Sequence, residues 1–366
     1  MHICLTRLSA LSLIRWLRSS YRAGIGEPCG IPAADPWPQR RWSARLIPYQ
    51  QLGRTSPPSA SSPVDVIVPD GKGQPRASFF SVRTCDGNLP PGSFIQATDE
   101  YTVPCPELLF LELAGVMTRD ALALVGYELC GTYARDPGEP RTGAVTHGVE
   151  QLTNVGKIAA YLSRCEGMRY LRAARATLRD VRDGAWSAIE AIVALLLVRG
   201  VNELGYGVGD VSLNERETFG HELSMVSAAS SRVPDVSLAD LPVGFNYDGH
   251  GHLDLKSINV SSSSKAQLRD ALSLVRGKYV DDLRRNRELL AQGRIVMPIV
   301  SEDLLDWGGL DAAVLEAILA AERLTGTSGA VGEQVRRSLR PDLAAKRQQL
   351  IWSLYPWSGG RSLGAY

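Results

Sequence analysis

The chain has 366 residues, with 40 Lys and Arg against 39 Asp and Glu, so its formal net charge is +1. That length leaves room for more than one domain and a sizeable core, and the near balance of charge excludes a protein drawn to nucleic acid or to acidic membranes by net charge alone. The six cysteines, Cys4, Cys29, Cys85, Cys105, Cys130 and Cys165, form no C-x-x-C pair, which excludes a clustered zinc site and fits reduced thiols in a cytosolic protein.

Residues 3–22 read as an amphipathic helix, with Leu5, Leu8, Leu11, Ile14 and Leu17 on one stripe. Arg15 and Arg18 interrupt its apolar run, so a secretory signal is not expected. Residues 24–63 are rich in Pro, Gly, Ser and Arg and read as loop, with Gly53 to Pro63 a flexible insertion. Strands are expected at Val64 to Val68 and Ala77 to Thr84, with shorter ones at Ser93 to Ala97 and Tyr101 to Val103. A helix is expected from Glu107 to Met117 after Pro104 and Pro106, and another from Arg119 to Cys130, capped by Thr118. Gly131 to Thr146 reads as loop, Asn154 to Cys165 as helix, and Arg169 to Arg182 as a basic helix. Ala188 to Arg199 is the most apolar segment. Its length suits a buried helix and falls short of the ~20 residues needed to cross a membrane, so a cytoplasmic chain with no membrane partner is expected.

Beyond Gly200 the pattern changes. Asp210 to Glu215 and Glu222 to Ala228 read as strands, followed by a hairpin over residues 233–252. A long helix, Lys265 to Gln292 with a break near Gly277, leads to a strand from Arg294 to Val300. Pro298 places that strand at an edge or a bulge. Amphipathic helices are expected at 310–322 and 341–354, with Trp352, Tyr355 and Trp357 packing a C-terminal tail.

The hairpin carries the chemistry. A turn between Asp240 and Leu241 sets Asp235 opposite Asn246, and Asp248, two residues on, points the same way. Two carboxylates and a carboxamide on one face, followed by His250 and His252, form a candidate divalent-metal site. Each residue also has a plainer reading. Asp235 can begin a strand, Asp248-Gly249 is a turn dipeptide, the histidines sit in a glycine-flanked loop, and Glu190 stands at the capping-box position three residues after Ser187. In the basic helix, Arg172, Arg175, Arg179 and Arg182 recur at spacings of three and four, so one face is positive. That face suits phosphate contact and equally a solvated surface.

The order from 186 to 303 is an apolar helix with Glu190, strands bearing Pro234-Asp235 and Asn246-Tyr247-Asp248-Gly249, then a helix and a last strand. It resembles the Vsr-like branch of the PD-(D/E)xK nucleases. Upstream, Ser9-Ala10-Leu11, Pro63 to Pro69, Leu89 to Gly92 and Pro104 to Ala114 look like the AbiEi-type antitoxin arrangement. The resemblance implies an α+β chain in four regions: an AbiEi-like α/β region at 1–150, a helical connector at 151–185, a restriction-endonuclease-like αβββαβα domain at 186–308 and a helical tail at 309–366. It implies a metal-dependent DNA endonuclease of a bacterial toxin–antitoxin or defence system, or a non-catalytic nucleic-acid-binding or regulatory relative, with DNA and a toxin or other protein as partners.

The cofactor implied is Mg²⁺, or Mn²⁺, held by Asp235, Asp248 and Glu190, with His250 or His252 as general base or phosphate contact. Asn246 stands where the family has a metal-binding Glu and brings no charge, which argues for weak or lost cleavage. In an alternative register Asp254 and Lys256 supply the D-x-K pair. The winged helix that AbiEi-type proteins often carry is not legible ahead of residue 20, so autoregulation through operator DNA is not expected.

Overall fold

Thr6 takes up extended backbone between a two-residue strand, β1 (Ile3–Cys4), and the first helix, α1 (Arg7–Tyr21). The sequence had suggested one helix over 3–22; Ile3 instead pairs in parallel with Tyr101 and is fully buried in a sheet. In this computed structural model the described residues are 3–22, 24–29, 43–69, 75–85, 89–227, 229–248, 265–326 and 329–355. They form a mixed α+β chain of two compact units, Met1–Ala191 and Ile192–Tyr355. The expected connector, 151–185, thus falls within the first unit, and the expected tail contributes helices to the second.

In the first unit the remaining strands are β2 (Glu27–Cys29), β3 (Val64–Val68), β4 (Phe80–Thr84), β5 (Phe94–Gln96), β6 (Tyr101–Pro104), β7 (Tyr133–Ala134) and β8 (Thr146–His147). One sheet runs β1-β6-β5-β2, and β3 pairs in parallel with β4. β2, β7 and β8 lie in segments whose Pro, Gly and Ser content had suggested only loop. They are too short to show a hydrophobic period, and their partners fix them. The helices are α2 (Pro106–Leu113), α3 (Arg119–Leu129), α4 (Val155–Ser163) and α5 (Leu171–Leu178). Thr118 and Asn154 cap α3 and α4 by accepting hydrogen bonds from Ala121 and Lys157 N–H groups, the usual work of short polar side chains at that position.

The core of this unit encloses a charged pair. Arg15 and Glu128 are nearly inaccessible to solvent, and the guanidinium donates to both carboxylate oxygens, with Nη2 to Oε2 at 2.6 Å. Arg135 N–H adds a further bond to Glu128. These cations hold the Glu128 carboxyl below its ordinary value although burial alone raises it.

The apolar helix α6 (Ala188–Val198) carries the division between the units. After it come β9 (Val211–Leu213), β10 (Glu217–Thr218), α7 (His221–Val226), β11 (Ser231–Arg232), β12 (Val236–Leu238) and β13 (Val243–Asp248). α8 (Lys265–Ala291) then leads to β14 (Ile295–Val300), α9 (Ser301–Leu305), α10 (Gly309–Thr325), α11 (Ala330–Ser338) and α12 (Pro341–Leu354). The sheet order is β14-β13-β12-β9. β9, β12 and β13 form an antiparallel meander, and β13 pairs in parallel with β14. Two parallel neighbours need a crossover connection, and α8 lies within it.

Two expectations change here, one element is added and one expected packing residue falls outside the described residues. Residues 221–226 form the short helix α7, not a strand. α8 runs through Gly277 without a break, α11 had not been foreseen, and Trp357 lies outside the described residues. Pro298 does sit on an edge strand, where its missing N–H costs no ladder bond.

β13 is central and is covered on both faces. Val243 and Phe245 are buried on one face, and Tyr247 continues that face, with its hydroxyl 2.9 Å from Ser301 Oγ and 3.2 Å from the Tyr355 hydroxyl. The C-terminal helices are pinned by Arg347, fully buried on α12. It donates to Asp311 at 2.7 Å and to the Ser338 carbonyl at 2.8 Å, with its guanidinium 4.3 Å from the Tyr206 ring centroid. Trp352 donates to the Leu305 carbonyl and meets Trp307 edge-on.

Candidate functional site

The hairpin β12–β13 has the register that its sequence suggests. Val236 pairs with Phe245 and Ser237 with Gly244; one step further along the same ladder, Asp235 faces Asn246. Gly244 permits this close pairing, because a Cβ there would lie 2.8 Å from the Val236 carbonyl oxygen. Asp235 and Asn246 are joined directly. Asp235 N–H donates to Asn246 Oδ1 at 3.0 Å, and Tyr247 N–H donates to Asp235 Oδ2 at 2.7 Å. The two bonds close a clasp at the point where β12 begins.

Asn246 is 1% exposed, and its Nδ2 points to Asn286 Oδ1 on α8 at 3.4 Å. An amide suits this place because it accepts on one side and donates on the other, which a carboxylate cannot do. Asp248 faces the same helix, 3.8 Å from Arg285 Nη2, and that nitrogen also lies 3.2 Å from Asp282 Oδ1. Asp282, Arg285, Asn286 and Leu289 recur at three- and four-residue spacing, one helix face, and Leu289 is fully buried. Further along α8, Asp281 and Glu288 both pair with Arg232 of β11. α8 is therefore fastened to the hairpin side of the unit by two arginines, one in each direction.

A divalent ion needs several hard oxygens converging on one point, with carboxylates supplying charge. Among the described residues, the oxygens here already have protein partners. The Asn246 oxygen is taken by a backbone N–H, one Asp235 oxygen by another, and the cation already set against Asp248 and Asp282 is the Arg285 guanidinium. Among the described residues no group of three or more His, Cys, Asp or Glu is placed to hold a metal.

Glu190, the third expected ligand, lies in the first unit. Its Oε2 accepts from Trp186 N–H at 2.9 Å, while its own N–H donates to Ser187 Oγ at 3.2 Å. Ser187 Oγ thus caps the N3 amide as in a capping box, while the Glu190 carboxylate accepts from the N–H one residue before the cap, at the start of α6. His250, His252, Asp254 and Lys256 lie outside the described residues.

The basic stretch folds as α5 and the turn that follows. Arg172, Arg175 and Arg179 are exposed, Arg175 pairs with Glu166 at 2.8 Å, and Arg182 turns back to the carbonyls of Arg179 and Val181. Two of the four arginines, Arg172 and Arg179, thus face solvent with no ion pair among the described residues.

Arg285 and Asn286 were not identified as site residues from the sequence, where Lys265 to Gln292 read only as a long helix. Their one local signal is the spacing from Asp282 to Leu289, which puts a polar stripe on the buried face of α8. Comparison of the chain with protein-family models, curated proteins and solved structures gives no match.

Proposed function

We propose that Ile192–Tyr355 has a restriction-endonuclease-like fold in which the cleavage centre has become a closed polar clasp. The protein then serves as a non-catalytic nucleic-acid-binding or regulatory component of a bacterial toxin–antitoxin or defence system. The order α6, β9, β12, β13, α8, β14, α10 supports this reading, since it follows the αβββαβα order the resemblance implies, with Pro234-Asp235 before β12 and Asn246-Tyr247-Asp248 ending β13. β10, α7 and β11 are an insertion between the first two core strands. The observation that carries the reading is the state of Asn246: buried, uncharged, and hydrogen-bonded to Asp235 N–H where the family pattern needs a metal-binding carboxylate. In its place α8 presents Arg285, which balances Asp248 without a metal.

Nucleic-acid affinity is assigned to the exposed face of α5. Arginines release counterions when they meet phosphates, so such binding weakens steeply with salt. A metal-dependent endonuclease is the second reading, and it is favoured by Asp235 and Asp248 lying on one face of the sheet next to each other's strands.

One assay separates the two. Supercoiled plasmid is incubated with the full chain in Mg²⁺, in Mn²⁺ and in EDTA, and binding of the same DNA is followed by gel shift. The proposal expects a salt-sensitive shift with no nicking in any buffer. Nicking that needs the cation and disappears in Asp235→Ala overturns it in favour of the endonuclease.

A further inference from the structure

A cavity of about 810 Å³ opens in the first unit between β4, α2 and the turn from α4 to α5. Its size lies in the range of pockets that enclose a small molecule. Three arginines line it, Arg83, Arg164 and Arg169. Arg164 is oriented by the Tyr161 ring, whose centroid lies 5.6 Å from its guanidinium carbon. Ile67, Leu108, Leu111 and Met168 supply the apolar part of the lining, with Leu108 buried.

Tyr170 stands on the rim, 44% exposed. Its ring is brought there by a built approach: a Cβ on Gly115 would lie 2.4 Å from Tyr170 Cε2, so only glycine lets the ring settle. Tyr170 also holds a left-handed backbone, φ 65°, at the start of α5, a conformation uncommon for a side chain of this size.

Among the described residues the lining holds two acids, Glu112 and Glu166. Glu166 is paired with Arg175. The Glu112 carboxyl accepts from Thr6 and from Arg7 N–H through one oxygen, and burial pushes it up to about 7, so near neutral pH it carries only part of a negative charge. Three arginines along one cavity suit a dianion, and guanidinium forks match phosphate oxygens. An apolar wall with an aromatic rim suits a flat base.

We infer that this cavity binds a nucleoside 5′-monophosphate, with the phosphate against Arg83, Arg164 and Arg169 and the base between Leu108, Met168 and Tyr170. The unit is either a free nucleotide or the 5′-phosphorylated end of a strand. The inference is independent of the reading of Ile192–Tyr355.

Isothermal titration of the full chain with dAMP, deoxyadenosine and inorganic phosphate tests it. dAMP is expected to bind at least tenfold more tightly than either part alone. Arg164→Ala with Arg169→Ala should weaken dAMP about tenfold or more, since each removes a charge-assisted contact. Both arginines are exposed, so the double variant retains its fold, which circular dichroism checks. Gly115→Ala, which drives a methyl into the Tyr170 ring, should weaken dAMP and leave phosphate unchanged. Oligonucleotides with and without a 5′-phosphate distinguish the sources: a preference for the phosphorylated strand over dAMP assigns the strand end, and the reverse assigns the free nucleotide. The inference fails if dAMP shows no binding at millimolar concentration, if phosphate alone binds as well as dAMP, or if the double arginine variant binds dAMP like the unaltered chain.

Discussion

Replacing Asp235 by Ala distinguishes a structural clasp from a metal ligand. The carboxylate accepts a backbone hydrogen bond from Tyr247 N–H at 2.7 Å. A bond to a charged acceptor contributes about 1.5–3 kcal/mol, and a donor left unsatisfied away from water costs a similar amount. Asp235→Ala should therefore open the end of the hairpin by about 1.5–3 kcal/mol. Asp235→Asn keeps an acceptor but loses its charge and should cost about half as much. Hydrogen exchange of the Tyr247 amide reads this locally, without assuming that the two units unfold together. A change of that size raises its exchange rate roughly 10–150-fold, because each 1.4 kcal/mol is tenfold. Asn246→Ala should expose the Asp235 amide in the same way, with a further penalty for the cavity left by a buried side chain. Tyr247 exchange that is unchanged in Asp235→Ala would refute the clasp and return the carboxylate to a functional role.

Three further outcomes follow from the same structure. Arg347→Ala removes the buried partner of Asp311 and a donor to the Ser338 carbonyl; it should lower the stability of the second unit by about 3–5 kcal/mol in urea titration, and Arg347→Lys should recover only part of that, because an ammonium cannot reproduce the fork. The Glu112 carboxyl, pushed up to about 7 by burial, retains its proton in the folded chain at pH values where the unfolded chain has lost it. Its contribution therefore favours folding below the ordinary carboxylate range and declines as pH rises from about 4.5 to about 7. Glu112→Gln should flatten thermal stability across that window and raise it at pH 8, by on the order of 1–3 kcal/mol; an unchanged pH profile would show that Glu112 is ionised throughout. Arg172→Glu with Arg179→Glu should weaken DNA binding and reduce the salt slope by about two, one for each lost phosphate contact. An unaltered slope would place the nucleic-acid interface elsewhere.

Much of this was legible in the chain itself, and the reasons differ by element. Val64–Val68, α3 with its Thr118 cap and the start of α6 at Ser187 followed from local chemistry: β-branched runs, a short polar cap, and a Glu three residues behind it. The register of the β12–β13 hairpin followed from its turn, so Asp235 and Asn246 were placed opposite each other before any contact was known. The helix α7 was misread because Glu222 to Ala228 mixes apolar and polar residues in a pattern short enough to fit either period. β1 and β2 were missed because two- and three-residue strands exist only through their partners.

What the tertiary structure decided was the use of these groups. Asn246 could have been a weak ligand or a structural amide; the contact with Asn286, 40 residues away on α8, and the Asp235 N–H make it structural. Glu190 carries the same carboxylate in either reading, and its bond to Trp186 N–H commits it to the helix start. Arg285 looked like any arginine on a charged helix until Asp248 and Asp282 were set against it. The sequence by itself determined which residues share a strand face or a helix face, because backbone period and turn geometry are local. Which faces meet depends on packing between segments distant in the chain, and that packing decided whether this group of acids could receive a metal or was already satisfied.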